Sequence, residues 1–152
     1  MPKTTTIEVI EKTIQLIKTY GNKATKKLFN NIEAELNDKY KSNANIVINS
    51  VVKHFEINKT SLLSQDNVKH KTTKTIEAIA VCAILLRTYV NSDINSISKT
   101  LNLEGESNKS YLHRLMKKYS KEQLNIFSKT VPAYADILKR MQNAEYQILK
   151  SL

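Results

Sequence analysis

Four side chains in the second half of the sequence carry chemistry suited to reading hydrogen-bonding edges: Ser110, His113, Arg114 and Lys117. At 100° per residue they fall in one arc of a helix expected over residues 108–119. Leu112, Leu115, Met116 and Tyr119 gather in the opposite arc, which must be the core side. The outward arc holds the types that pair with base edges. A guanidinium matches the two acceptors of guanine, while histidine and serine serve as adaptable donors and acceptors. Lys109 and Lys118 flank the arc, where lysines suit phosphates, which position a protein without reading sequence. Any amphipathic helix of a basic protein also has a basic outer face, so a plain solvated surface is the competing reading.

Other reactive residues form no such constellation. His54, His70 and His113 have no metal-ligand spacing among them. Cys82 is the single cysteine, which excludes an intrachain disulfide, and its apolar surroundings mark it as an inert core residue. Glu33 with Glu35, and Glu104 with Glu106, stand two residues apart and do not face each other on a helix. The seven tyrosines are scattered and make no stacking platform for single strands. Gly21 and Gly105 are the only glycines, so neither a phosphate-cradling loop nor a dinucleotide fingerprint can be built. The expectation is a protein without catalysis, cofactor or metal.

The elements that must position the basic arc are helical. Two glycines and two prolines in 152 residues leave little material for tight hairpins. Thr5 and Glu8 have capping-box spacing ahead of Ile7, Ile10, Ile14 and Ile17, and Gly21 supplies a left-handed stop. A second helix is expected over about 24–36, with Leu28, Phe29, Ile32 and Leu36 on one face. The polar stretch 37–45 reads as a linker. After it, 46–55 makes a short helix with Val47, Val51, Val52 and Phe55 inward, and Leu62 and Leu63 sit on a small helix beyond a turn. The segment 65–74 is polar and basic. Residues 75–90 are apolar almost all round and belong at the centre of the core. Asp93 caps a short helix carrying Ile94, Ile97 and Leu101, and a turn with Gly105 leads to the basic helix. Ser120 to Gln123 again has capping-box form before Leu124, Phe127 and Val131. Pro132 opens a last helix whose stripe of Tyr134, Ile137, Met141, Ala144 and Ile148 packs within the monomer or against a second copy.

Composition is consistent with this. The chain is 41% hydrophobic with a formal net charge of +10, spread as +3 over 1–44, +5 over 45–120 and +2 over 121–152. A spread of that kind suits a polyanion, with nucleic acid first. Arginine occurs only at 87, 114 and 140, so many lysines can equally be ordinary surface. No signal-like apolar stretch opens the sequence and no run approaches about 20 apolar residues, which favours the cytoplasm.

From Ile46 to about Tyr119 the sequence resembles the C-terminal DNA-binding domain of the bacterial replication initiator DnaA, a Trp-repressor-like helix-turn-helix domain. The features that carry it are Val52-Lys53-His54-Phe55, then Leu62-Leu63-Ser64, a basic loop and the long apolar helix. Asn91 with Ile94 and Ile97, and Asn108-Lys109-Ser110-Tyr111-Leu112, complete the match. The resemblance implies that Asn108, Lys109, Ser110 and Tyr111 occupy base-reading positions and that Arg114 falls at a further contact. It also implies that Lys69, His70, Lys71 and Lys74 reach the adjacent minor groove. Ala78 and Ile79 stand where the family has Pro-Arg, and there is no ATPase module. The expected protein is all-α, with a helical pair over 1–44, a helix-turn-helix domain over 45–119 and a helical extension over 120–152. Its expected partner is double-stranded DNA, read by the helix 108–119, with His113 and Arg114 among the base readers and Lys117 and Lys118 on phosphates. A homodimer through the outer helices is compatible with this. The alternative is a helical adaptor or inhibitor that binds protein instead, favoured by the acids Glu104 and Glu106 in the turn.

Overall fold

The computed structural model describes residues 6–65, 70–90 and 92–152. The chain is all-α, with every regular element among the described residues a helix. In order these are α1 (Thr6–Tyr20), α2 (Asn22–Phe55), α3 (Lys59–Leu62), α4 (Thr73–Val90), α5 (Ile94–Thr100), α6 (Glu106–Lys118), α7 (Lys121–Phe127) and α8 (Pro132–Ser151). The chain divides into two compact units, 1–40 and 41–152, with the division inside α2.

The expected linker over 37–45 is a correction: these residues are helical, and α2 continues from Asn22 through Phe55. Polarity in that stretch reflects solvent exposure, and no glycine or proline interrupts it. In the first unit, Gly21 alone separates α1 from α2. At φ 84° its N–H donates to Ile17 O at 2.8 Å, closing α1, and its carbonyl accepts from Thr25 N, opening α2. Thr5 of the expected capping box lies outside the described residues.

The second unit is organised round α4, in which Ala78 to Ala83, Leu85 and Leu86 are buried. Thr72 caps it, its hydroxyl accepting from Thr75 N at 3.3 Å. α3, α5, α6 and α8 all pack on it. Val47, Val51 and Phe55 from the end of α2 join the same core, with Val52 half-buried. α8 packs on α7 and α4, burying Ile137, Met141, Ala144 and Ile148, so its stripe is used within the unit. Tyr134, expected on that stripe, is half-buried against the rings of Tyr119 and Phe127.

Two helix ends use non-glycine residues in the left-handed region. At the end of α2, Glu56 (φ 54°) donates its N–H to Lys53 O while Ile57 N donates to Val52 O. At the end of α5, Asn102 (φ 56°) and Leu103 repeat the pattern, donating to Lys99 O and Ser98 O. Leu103 is buried, and Asn102 Nδ2 donates to Leu63 O at 2.9 Å, tying the turn before α6 to the end of α3. Asp93 caps α5 as expected, accepting from Ser96 N at 2.7 Å, and this bond holds its carboxyl below the usual aspartate range.

Two measurements follow from these contacts. Asn102→Ala is expected to cost about 1–2 kcal/mol in urea unfolding, from the left-handed backbone and the lost hydrogen bond. Asn102→Gly restores the backbone part only, so a Gly variant no better than Ala would remove this account. Glu77 on α4 is held above the ordinary value of 4.5, first by burial and then by Asp136, against Arg140, Lys118 and Lys74. The folded chain therefore keeps that proton more tightly, and stability falls as pH rises from 4.5 through the raised value. Glu77→Gln removes this slope, so its stability gain over the natural chain is expected to be larger at pH 7 than at pH 4. An equal gain at both pH values would refute the assignment.

Candidate nucleic-acid interface

α6 is an amphipathic helix anchored by one face. Leu112, Leu115 and Met116 are buried, and Tyr119 at its C-cap is 6% exposed. It begins at Glu106, about two residues earlier than the sequence indicates, with Gly105 (φ 104°) at the N-cap. That φ is what requires glycine, since a side chain there would meet no neighbour but would strain the backbone. α6 packs on both α4 and α5, so its outward face is fixed by the core beneath it.

Ser110, His113, Arg114, Lys117 and Lys118 are all exposed on the outward side. Arg114 lies over the Tyr111 ring, 5.3 Å from its centroid, which pre-orients the guanidinium. Lys118 similarly lies 5.2 Å from the Tyr119 ring centroid. The neighbouring phenol raises its pKa, so it stays cationic.

The positions implied by the family resemblance divide. Asn108 turns back onto its own turn, Nδ2 donating to Glu104 O at 3.0 Å, and its buried Oδ1 has no hydrogen-bond partner among the described residues. Lys109 is paired with Glu106 at 3.7 Å, and Tyr111 is half-buried under Arg114. These three side chains are engaged locally, leaving Ser110 as the outward member of that run. Lys69 and Asn91 lie outside the described residues.

The basic segment before α4 is also divided. The ammonium of Lys71 donates to the carbonyls of Ser61, Leu62 and Ser64 at 3.3, 3.3 and 2.7 Å. It caps the C-terminal end of α3, where unpaired carbonyls and the helix dipole favour a cation. His70 is exposed beside it, and Lys74 is 3.9 Å from Glu56 in an exposed pair. Lys74 and His70 therefore remain candidates for an anion, whereas Lys71 holds the loop. Nothing in the spacing of the sequence distinguishes those roles, because the carbonyls Lys71 meets belong to residues seven to ten positions away.

One cation was missed by sequence reasoning. Arg87, near the C-terminal end of α4, is exposed in a cleft of about 620 Å³ shared with His113, Lys117 and Lys121. Lys121 also pairs with Glu145 at 3.1 Å, whereas Arg87, which has no ion pair among the described residues, adds a guanidinium beside the outward face of α6. The signal available in the sequence was only that arginine is rare here and that Arg87 falls just where the apolar run ends. Among the described residues, no group of three or more His, Cys, Asp or Glu side chains is arranged to hold a metal ion. No helix among them is long and apolar enough to cross a membrane.

Lys71→Ala is expected to lower the stability of the second unit by about 1–2 kcal/mol, read by thermal or urea unfolding, through loss of a charge-assisted cap. Unchanged stability would return Lys71 to the surface cations. Comparison of the chain with protein-family models, with curated proteins and with solved structures finds no match.

Proposed function

We propose that this protein is a cytoplasmic, non-catalytic binder of double-stranded DNA, acting as a small regulator of transcription or replication. In this reading α5, the turn over 101–105 and α6 work as a helix-turn-helix, and α6 enters the major groove. The observation that carries it is the exposed row Ser110, His113, Arg114 and Lys117 on a helix whose other face is locked in the core. A rigid base matters because base edges are read over short, directional hydrogen bonds. Arg114 and His113 are the base readers, with Ser110 beside them. Lys117, Lys118 and Arg87 hold phosphates, and His70 and Lys74 extend the same positive surface.

The resemblance to the initiator's DNA-binding domain supports the same assignment, with a different contact set from the one it implies. Asn108, Lys109 and Tyr111 brace the start of α6 and its arginine. The DNA box of that family is therefore not the expected target, because the side chains presented to the groove differ.

Fluorescence anisotropy of the full chain against random-sequence duplex DNA tests the reading. Phosphate-dominated binding loses about three to five decades of affinity between 50 and 200 mM salt if 6–10 contacts form. After site selection, Arg114→Ala is expected to cost about 1–3 kcal/mol on the preferred sequence and to flatten specificity there. Lys117→Ala should weaken every sequence alike and reduce the salt slope by about one. Absence of binding at 50 mM salt would overturn the proposal in favour of a protein partner. Equal effects of both substitutions on all sequences would leave a basic surface without readout.

A further inference from the structure

His113 and Lys117, one turn apart on α6, belong to two surroundings at once. They are part of the outward row with Ser110 and Arg114, and they also line the cleft of about 620 Å³ between α6, the end of α4 and the start of α7. Arg87 borders that cleft from α4 and Lys121 from α7, so basic side chains of three helices meet at one concavity. All four are exposed, and no carboxylate is among the residues that line it.

Like charges gathered in this way repel one another unless something offsets them. Arg87 and Lys117 stand in the last turns of α4 and α6, where each helix end supplies about half a negative charge, only part of what is needed. Neither is in an ion pair among the described residues. Lys121 has Glu145, but that carboxylate is 12% exposed, also accepts from the Tyr89 hydroxyl and does not line the cleft. Glu122, next to Lys121 in the chain, is exposed and does not line it either. An anion from outside completes the balance.

The donors narrow its chemistry. A guanidinium grips two oxygens side by side, as carboxylates and phosphoryl groups present them. Lys117 and Lys121 add ammonium donors and His113 adds its ring nitrogens. A single carboxylate has too few oxygens to meet donors from three helices. Two linked phosphoryl groups present oxygens in several directions and carry more charge. Half-buried Ile84 and buried Met116 place apolar surface beside these donors, the mixture that small-molecule sites use.

We propose that this cleft is a seat for a small anion bearing a diphosphate group, and that such an anion competes with DNA because both need His113 and Lys117. The seat stands apart from the DNA reading, whereas the competition rests on it.

Calorimetric titration of the full chain with inorganic pyrophosphate, at ionic strength held constant with sodium chloride, tests the seat. Saturable binding is expected, with sulfate much weaker. Arg87→Gln should weaken pyrophosphate about tenfold or more, through loss of a charge-assisted paired contact, and Lys117→Gln should weaken it by a smaller factor. Both side chains are exposed, so thermal unfolding of the variants should match the natural chain. Arg114→Ala, outside the cleft, should leave pyrophosphate affinity unchanged while weakening DNA. ADP in place of pyrophosphate separates the sources of the group: tighter binding places a nucleoside against Ile84 and Met116, and equal affinity assigns the seat to the diphosphate alone. In anisotropy, pyrophosphate should release duplex DNA beyond the release by sodium sulfate at the same ionic strength, and Arg87→Gln should abolish that excess. Absence of saturable pyrophosphate binding, or binding unchanged in both Arg87→Gln and Lys117→Gln, would overturn the seat. Pyrophosphate binding to a chain that does not bind DNA would support the seat and overturn the DNA reading. Binding of both without displacement would overturn the competition.

Discussion

The second unit depends on burying α4 on every side. A helix with one apolar stripe needs one neighbour, but α4 shows no polar side between Ala78 and Ala83 and must be enclosed. Each large side chain so buried contributes about 1.5–3 kcal/mol relative to exposure, and none can be spared for a function of its own. Cys82 illustrates the consequence: fully enclosed, its thiol is unreactive and serves as a small packing residue. Enclosure also dictates where chemistry can go. α6 must give one face to α4, and only its other face can meet a partner.

Polar contacts then fix the enclosing helices at chosen points. Tyr89 at the end of α4 donates to Glu145 of α8 at 2.5 Å, and Lys121 of α7 pairs with the same carboxylate. Burial first, and then the bond to Glu145, push the Tyr89 phenol up to about 12, so it remains a donor at neutral pH. On another face of α8, Arg140 donates to His54 O at 2.6 Å while held by Asp136, and His54 meets Gln147 at 2.9 Å. α8 is thus tied to the ends of α2 and α4 as well as packed on the core. Two of the three arginines belong to this economy of cations in different ways: Arg140 is structural, whereas Arg114 is directed outward.

What was legible in the sequence was periodicity. The faces of α6, the stripe of α8, the Asp93 cap and the Gly21 stop all depend on local spacing, and each is found where spacing places it. The continuity of α2 was not legible, because a polar run reads equally as loop or as exposed helix. Only the lack of a breaker between Asn22 and Phe55 favours the latter. The roles of Lys71 and Asn108 were not legible either. Both depend on how a turn folds back, Lys71 onto the end of α3 and Asn108 onto Glu104, and side-chain identity alone cannot separate a cap from a contact. Arg87 was hidden for a third reason, since its neighbours His113 and Lys117 come from an element about 26–30 positions later.

The two units divide the physical tasks of the chain. Residues 41–152 fold round an apolar helix and carry most of the positive charge, with acidic groups drawn into internal pairs such as Glu145 with Lys121 and Asp136 with Arg140. Among the described residues no ion pair joins Arg87, Arg114 or Lys117 to a carboxylate, so their charge is presented at the surface. Residues 6–40 invert that arrangement: their charges nearly balance and their apolar side chains are the uncovered feature. A surface of the first kind attracts an anion at a distance and weakens with salt. A surface of the second kind acts only on contact and depends little on salt. The two kinds of surface therefore differ both in the chemistry they offer and in how salt changes what they attract.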